Sequence, residues 1–304
     1  MRNDKLYQSL DMKNISDMLL ATREDLEKCK TKDHDISDHA INKIYAQTAV
    51  NMGIEPVNAY ELYMKEMDGT VHFNTGNEEL DKQLGDQKVT SNEIVEISGC
   101  SGSGKTFLCI KMACLALIER DVAVLYVDTT NYLNRDNVLL SLKNFMTAGE
   151  GQASDKAAKA EKAREMLGRL QVVQIHDMDR LILLLAKLLS RLEHKQLNFP
   201  LKMIVIDSLS SLFWETSSQS MGKSHHDKQQ QQLIKEVLYY LSILAKKYNI
   251  CIVFTNNTRD GAQAVTRVSE ISCQLGEPLG WAVDKQIYAC QDEQHQVSYV
   301  LIKH

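Results

Sequence analysis

The chain has 304 residues and a mass of 34.5 kDa, room for one large domain and a small one. Hydrophobic residues make up 44% and charged residues 25%, which excludes collagen-like, low-complexity and wholly disordered chains. A balance of 35 Lys and Arg against 40 Asp and Glu leaves a formal charge of −5, so coating nucleic acid by bulk charge is excluded as well.

No apolar run approaches the ~20 residues that cross a bilayer, and the opening MRNDKLYQSL lacks the apolar stretch of a signal peptide. The chain is expected to be soluble and unsecreted. Its seven cysteines, Cys29, Cys100, Cys109, Cys114, Cys251, Cys273 and Cys290, are scattered and form no Cys-x-x-Cys pair. Disulfide frameworks and zinc sites need even counts or close pairs, so reduced thiols of a cytosolic or nuclear protein are expected.

Residues 1–52 read as a small helical domain, with candidate helices over Ile15–Leu20, Arg23–Lys30 and Ile36–Met52. In the third, Ile36, Ala40, Ile44 and Thr48 fall at helical spacing, and Ser37 or Asp38 can cap its start. The polar group His34, Asp35, Asp38 and His39 reads as a helix start rather than a metal site. Residues 53–74, with Pro56, read as a connector. Its Tyr60 and Tyr63 either face a neighbouring subunit or pack on the chain's own body.

From Glu93 the pattern changes, and residues 75–304 read as an α/β core. Apolar, β-branched runs EIVEIS (93–98), VAVLYVD (122–128), LQVVQIHD (170–177), KMIVID (202–207) and CIVFT (251–255) alternate with helical stretches at 105–120, 136–146, 155–168, 178–193 and 228–248. Strand runs without polar alternation predict burial on both faces, hence a mostly parallel sheet flanked by helices. Residues 283–290 and 296–303 alternate more and predict an antiparallel edge. The Ala/Glu/Lys-rich piece Gly149–Arg169 predicts an exposed helix or loose insertion. Leu181–Leu189 reads as core, His225 and His226 as part of a solvated loop, and Gln229–Gln232 as the exposed first turn of the long helix.

Chemistry concentrates in one string. Gly99, Cys100, Ser101, Gly102, Ser103, Gly104, Lys105 and Thr106 fit G-x-x-x-x-G-K-[ST], with a strand entering and a helix leaving. Wrapping a triphosphate in backbone N–H groups requires glycines for close approach and places the phosphates at a helix N-terminus. Lys105 is expected to reach the β and γ phosphates of ATP, and the Thr106 hydroxyl to take a Mg2+ coordination position. The matching acid is Asp207, ending a buried strand, which would hold Mg2+ through water. Asn257, ending CIVFTNN, is the candidate sensor of the γ-phosphate, at the strand edge where open α/β sheets bind ligands.

The order TGNEELDKQLG (75–85), GCSGSGKT, VLYVDTTN (124–131), VVQIHD, MIVIDSLSSLF and IVFTNN resembles the Rad51 family of RecA-like recombinases over nearly the whole chain. The likeness is to the paralogues more than to the recombinase itself. PVNAYELY (56–63), RLQVVQIHD, TNNTRD (255–260) and LGEPLGW (275–281) are most similar to the D-type paralogue, and 36–49 to the family's helix-hairpin-helix region. The resemblance implies a RecA-like ATP-binding core and a nuclear role in repair and meiotic recombination. It also implies a hetero-oligomer with related paralogues that assists the recombinase on single-stranded or branched DNA, with no membrane contact.

Two departures set this sequence apart. Family ATPases place a glutamate two residues after the aspartate ending the second strand, where Thr130 stands here, so no catalytic residue is assigned and turnover is expected to be slow or partner-dependent. Many members carry glutamine where Asn257 stands. The DNA-contact segments are thinly charged: 214–228 balances Lys223 and Lys228 against Glu215 and Asp227, and 256–280 sets Arg259 and Arg267 against Asp260, Glu270 and Glu277. Weak autonomous DNA binding is expected. The alternatives are a competent DNA-dependent ATPase with strand-exchange activity, and a P-loop kinase of a small metabolite. The kinase would need a basic lid, and no arginine-rich segment follows Asp207.

Overall fold

Four runs of Val, Ile, Leu and Cys, too apolar to face water on either side, decide the architecture. In a computed structural model they form the middle of a seven-stranded sheet, while the fifth run, at 170–174, forms one edge and leaves Val172 exposed, against the expectation of burial on both faces. The structure describes residues 69–148 apart from 87 and 134, 156–212 apart from 198, 223–258, and 282–303 apart from 292, 293 and 295, together with 58–60 and 64. Chain contacts divide the protein into Met1–Tyr63 and Met64–His304. The expected helices of residues 1–52 lie outside the described residues.

The second unit opens with strand β1 (His72–Phe73), helix α1 (Glu78–Leu84) and β2 (Val89–Thr90), the two strands forming a small antiparallel pair. β1 falls inside the 53–74 stretch expected to be connector; Phe73 is buried in the main core, so the folded body begins earlier than the sequence pattern suggests. There follow β3 (Ile94–Gly99), α2 (Lys105–Glu119), β4 (Ala123–Asp128), α3 (Arg135–Ala148), α4 (Lys156–Gly168), β5 (Leu170–Gln174) and α5 (Met178–Glu193). The chain continues through β6 (Leu201–Asp207), α6 (Lys223–Tyr248), β7 (Cys251–Asn257), β8 (Lys285–Gln291) and β9 (Val297–Lys303).

Strand order is β5-β4-β6-β7-β3-β8-β9, every pair parallel except β8 with β9. This is the mostly parallel sheet flanked by helices that the sequence predicts, with its antiparallel edge. Alternation assigns each strand residue to one of two cores. Val95, Ile97, Val124, Tyr126, Met203, Val205, Cys251 and Val253 pack with α2 on one face. Ile94, Leu125, Val127, Ile204, Ile206, Ile252 and Phe254 pack with α5 and α6 on the other.

Two boundaries differ from the sequence expectation, each for a local reason. β5 stops at Gln174 because Asp177 caps α5, its side chain accepting from Arg180 N at 2.8 Å. α4 forms at its expected place, with Ala163 and Met166 buried, and the following Arg169 guanidinium donates to the Leu117, Arg120 and Val122 carbonyls around the end of α2. α6 begins at Lys223 rather than 228, so Lys223, His225, His226 and Lys228 are helical, and Gln229–Gln232 lie past its first turn. Residues 213–222 and 259–281, with most of the expected DNA-contact segments, lie outside the described residues.

Phe254 is fully buried on β7 between strands β6 and β3. Phe254→Ala is expected to remove about 3–5 kcal/mol of stability, read as a lower urea midpoint.

Candidate nucleotide site

β3 delivers Gly99 to the C-terminal edge of the sheet, and α2 departs from the same point with Gly104 as its N-cap. Between them the chain turns tightly. Gly102 and Gly104 sit at φ 83° and 88°, in left-handed backbone that side-chain-bearing residues rarely adopt. The turn encloses Lys105, 8% exposed, whose Nζ donates to the carbonyls of Gly99 at 2.9 Å and Cys100 at 2.6 Å. Burial pushes this ammonium below the usual lysine range, while its electrostatic interactions with the neighbouring Cys100 and Asp207 side chains pull it back. The Ser103 hydroxyl is buried and has no hydrogen-bond partner among the described residues. A loop holding a buried cation and an unsatisfied hydroxyl fits an anionic oxygen ligand.

Register places the other polar groups. Asp128 pairs with Asp207 across β4 and β6, and Gly99 with Asn257 across β3 and β7. Alternation then points Asp207, Thr255 and Asn257 to the α2 face, beside the glycine loop. Together with residues 101–107, Thr130, Tyr132, Leu140, Ser141 and Ser208 they line a cavity of about 640 Å3, the size of a small-molecule site. The structure thus gathers Ser101, Gly102, Ser103, Gly104, Lys105, Thr106, Asp207 and Asn257, along with Thr130. Gly99 and Cys100 stand behind the loop and hold Lys105 through their carbonyls.

Asp207 is 5% exposed, and both carboxylate oxygens are held. Oδ1 accepts from Thr255 Oγ1 at 2.6 Å and Oδ2 from the Tyr126 hydroxyl at 3.0 Å. Burial and the adjacent carboxylate both raise the Tyr126 pKa, so its hydroxyl remains a donor. Tyr126 and Thr255 were not singled out in the sequence. A signal was present: each is a polar interruption in an apolar strand run, and a buried tyrosine hydroxyl requires a partner.

The wall opposite the loop is built by Asp128. Its Oδ1 accepts from Thr130 N at 3.0 Å and Thr130 Oγ1 at 3.3 Å, and its Oδ2 from Leu133 N at 3.1 Å. Residues 129–133 are therefore folded around one buried carboxylate. Hydroxyls then link the ends of three strands. Thr129 Oγ1 lies 2.6 Å from Ser211 Oγ and accepts from Ser208 N at 2.7 Å. Ser208 Oγ lies 3.3 Å from Ser210 Oγ, which accepts from Asn257 N at 3.1 Å. Asn256, one residue earlier, points the other way and donates to Glu96 at 2.7 Å. Among the described residues no three His, Cys, Asp or Glu gather as a metal cluster, Cys100, Cys109, Cys114, Cys251 and Cys290 are free thiols, and no helix is long and apolar enough to cross a membrane.

The Rad51 family model matches residues 66–283. The mouse protein named DNA repair protein RAD51 homolog 4 is 25% identical over 260 residues, covering 84% of this chain and 72% of its own length. Its bovine namesake is 26% identical over 260 residues, covering 84% and 73%. The DNA repair and recombination protein RadA of the archaeon Methanoculleus marisnigri is 26% identical over 218 residues, covering 64% of this chain and 63% of its own.

The loop glycines are expected to differ in tolerance. A Cβ on Gly102 meets nothing within 4 Å, whereas one on Gly104 lies 2.9 Å from Val297 Cγ1 and 3.0 Å from the Tyr299 hydroxyl. Gly102→Ala should cost about 1–2 kcal/mol from its dihedral alone, and Gly104→Ala measurably more, compared by thermal unfolding of the two variants.

Proposed function

The chain belongs to the Rad51 family, and we propose that within it this protein is an ATP-binding accessory paralogue in homologous recombination. It would assist the main recombinase on single-stranded DNA during repair of breaks and stalled forks, with slow or partner-dependent hydrolysis. A DNA-repair and recombination role is supported by the names its relatives carry. In this reading residues 1–52 are the small helical domain, and the connector that follows gives way at β1 to the ATP-binding core, working in the nucleus.

The residues of the loop suit polyphosphate binding. Backbone N–H groups from Ser101 to Thr106 and the Ser103 hydroxyl would surround the β and γ phosphates, with Lys105 exchanging its carbonyl partners for charged oxygen. The Thr106 hydroxyl and the Asp207 carboxylate would hold Mg2+, which neutralises phosphate charge when bound. Thr255 and Tyr126 fix the carboxylate's orientation, and its remaining lone pairs suit the waters a small hard cation keeps. Asn257 would meet the γ-phosphate from the sheet edge.

One observation carries the accessory role. Thr130 stands on the cavity wall where active members of the family place a glutamate, and both its amide and its hydroxyl are turned onto Asp128. It lacks a carboxylate to polarise an attacking water. Bound ATP would then act as a clamp, stabilising an assembly through its differential affinity for the joined state. The partners would be other family paralogues in a hetero-oligomer, with single-stranded or branched DNA bound weakly by this chain alone. Tyr60, 68% exposed, is available for a subunit contact.

Lys105→Ala is expected to abolish ATP binding by calorimetry and to weaken ATP-dependent capture of partner paralogues; complexes forming equally well without ATP and with the variant would refute the clamp. Thr130→Glu should raise single-turnover hydrolysis by about 10-fold or more, since a positioned base contributes about 10²–10⁴. A steady-state rate of the unaltered chain equal to that of an active recombinase would refute the slow-turnover reading. Its complex with single-stranded DNA should weaken only gently with added salt.

A further inference from the structure

The glycine loop touches β9, a strand almost two hundred residues away in sequence. The hydroxyl of Tyr299 donates to the Gly104 carbonyl at 3.1 Å, and that carbonyl also accepts the first hydrogen bond of α2, from Leu108 N at 3.0 Å. Both acceptor sites of one oxygen are thereby filled, from two directions. In a trans peptide the C=O and the following N–H point in opposite senses within one plane. Holding the Gly104 oxygen toward β9 therefore aims the Lys105 N–H the other way. That N–H is among the first four of α2, which have no partner inside the helix.

β9 is itself pinned. The Gln83 side chain lies along its outer edge, donating to the Tyr299 carbonyl at 3.1 Å and accepting from Leu301 N at 2.8 Å. A primary amide there occupies the donor and acceptor that a further strand would use. Tyr299 is 6% exposed, and burial pushes its hydroxyl up to about 12, so it stays a donor across the physiological range.

We propose that Tyr299 is a positioning residue of the nucleotide site: from β9 it fixes the Gly104–Lys105 peptide so that the Lys105 amide faces the phosphates. This rests on the nucleotide-binding reading above and assigns the C-terminal strand a part in it. α1, through Gln83, keeps the strand in register.

Tyr299→Phe in the full chain removes the hydroxyl and leaves the ring. Amide hydrogen exchange without nucleotide should quicken at residues 103–106 while β3, β7 and the melting temperature stay unchanged. ATP affinity by calorimetry should fall about fivefold, the loss of one ordinary hydrogen bond. Unchanged exchange at the loop overturns the proposal, as does faster exchange with undiminished affinity. Faster exchange throughout β8 and β9 with a lower melting temperature shows a merely structural hydroxyl and overturns it too. Failure of the unaltered chain to bind ATP overturns the nucleotide reading instead, and the exchange measurement still decides whether Tyr299 holds the loop.

Discussion

A lysine ammonium held inside a protein and hydrogen-bonded to the carbonyls of its own loop is an arrangement that needs support from every side. Lys105 meets that condition through Gly99 and Cys100. Their carbonyls converge because β3 ends there and α2 turns back over it, and α2 stays in place because Leu108, Met112 and Leu117 are fully buried against the sheet. Desolvation of the cation is the largest influence on its pKa, and it opposes the charged form. An anionic ligand relieves that opposition, so the same burial that strains the free site favours a bound polyphosphate.

The opposite wall follows a complementary logic. Two carboxylates, Asp128 and Asp207, end adjacent parallel strands in register, yet they do different work. Asp128 is consumed by structure, gathering the amides of Thr130 and Leu133 into a turn. Asp207 is held by two hydroxyls, Tyr126 and Thr255, and lies on the cavity. Among the described residues that line the cavity, Asp207 is the one carboxylate. The hydroxyl chain from Thr129 through Ser208 and Ser210 to Asn257 ties the ends of β4, β6 and β7 together.

Much of this was legible before the coordinates. The central strands showed as continuous apolar runs because both of their faces are covered, and the glycine loop because a turn with left-handed backbone at Gly102 and Gly104 restricts residue choice. Misplaced boundaries had causes outside the local pattern. α6 starts five residues earlier than its apolar periodicity, since polar residues extend a helix without marking it. Phe73 belongs to the core through tertiary packing, although its two-residue strand carries no periodicity of its own. Tyr299 could not be tied to the loop, because alternation in an edge strand tells which face a side chain takes and nothing about what waits there.

The amino-acid order alone determined the layered α/β plan and singled out the glycine loop, Asp207 and Thr130, which the fold brings to one cavity. Those features rest on periodicity and on short-range spacing, which a linear string carries intact. Only the folded sheet decided that Asn256 turns to Glu96, that Tyr126 and Thr255 share one carboxylate, and that the last strand grips Gly104. These depend on register between strands up to about two hundred residues apart, and hydrogen bonds of that reach exist only once the strands are side by side.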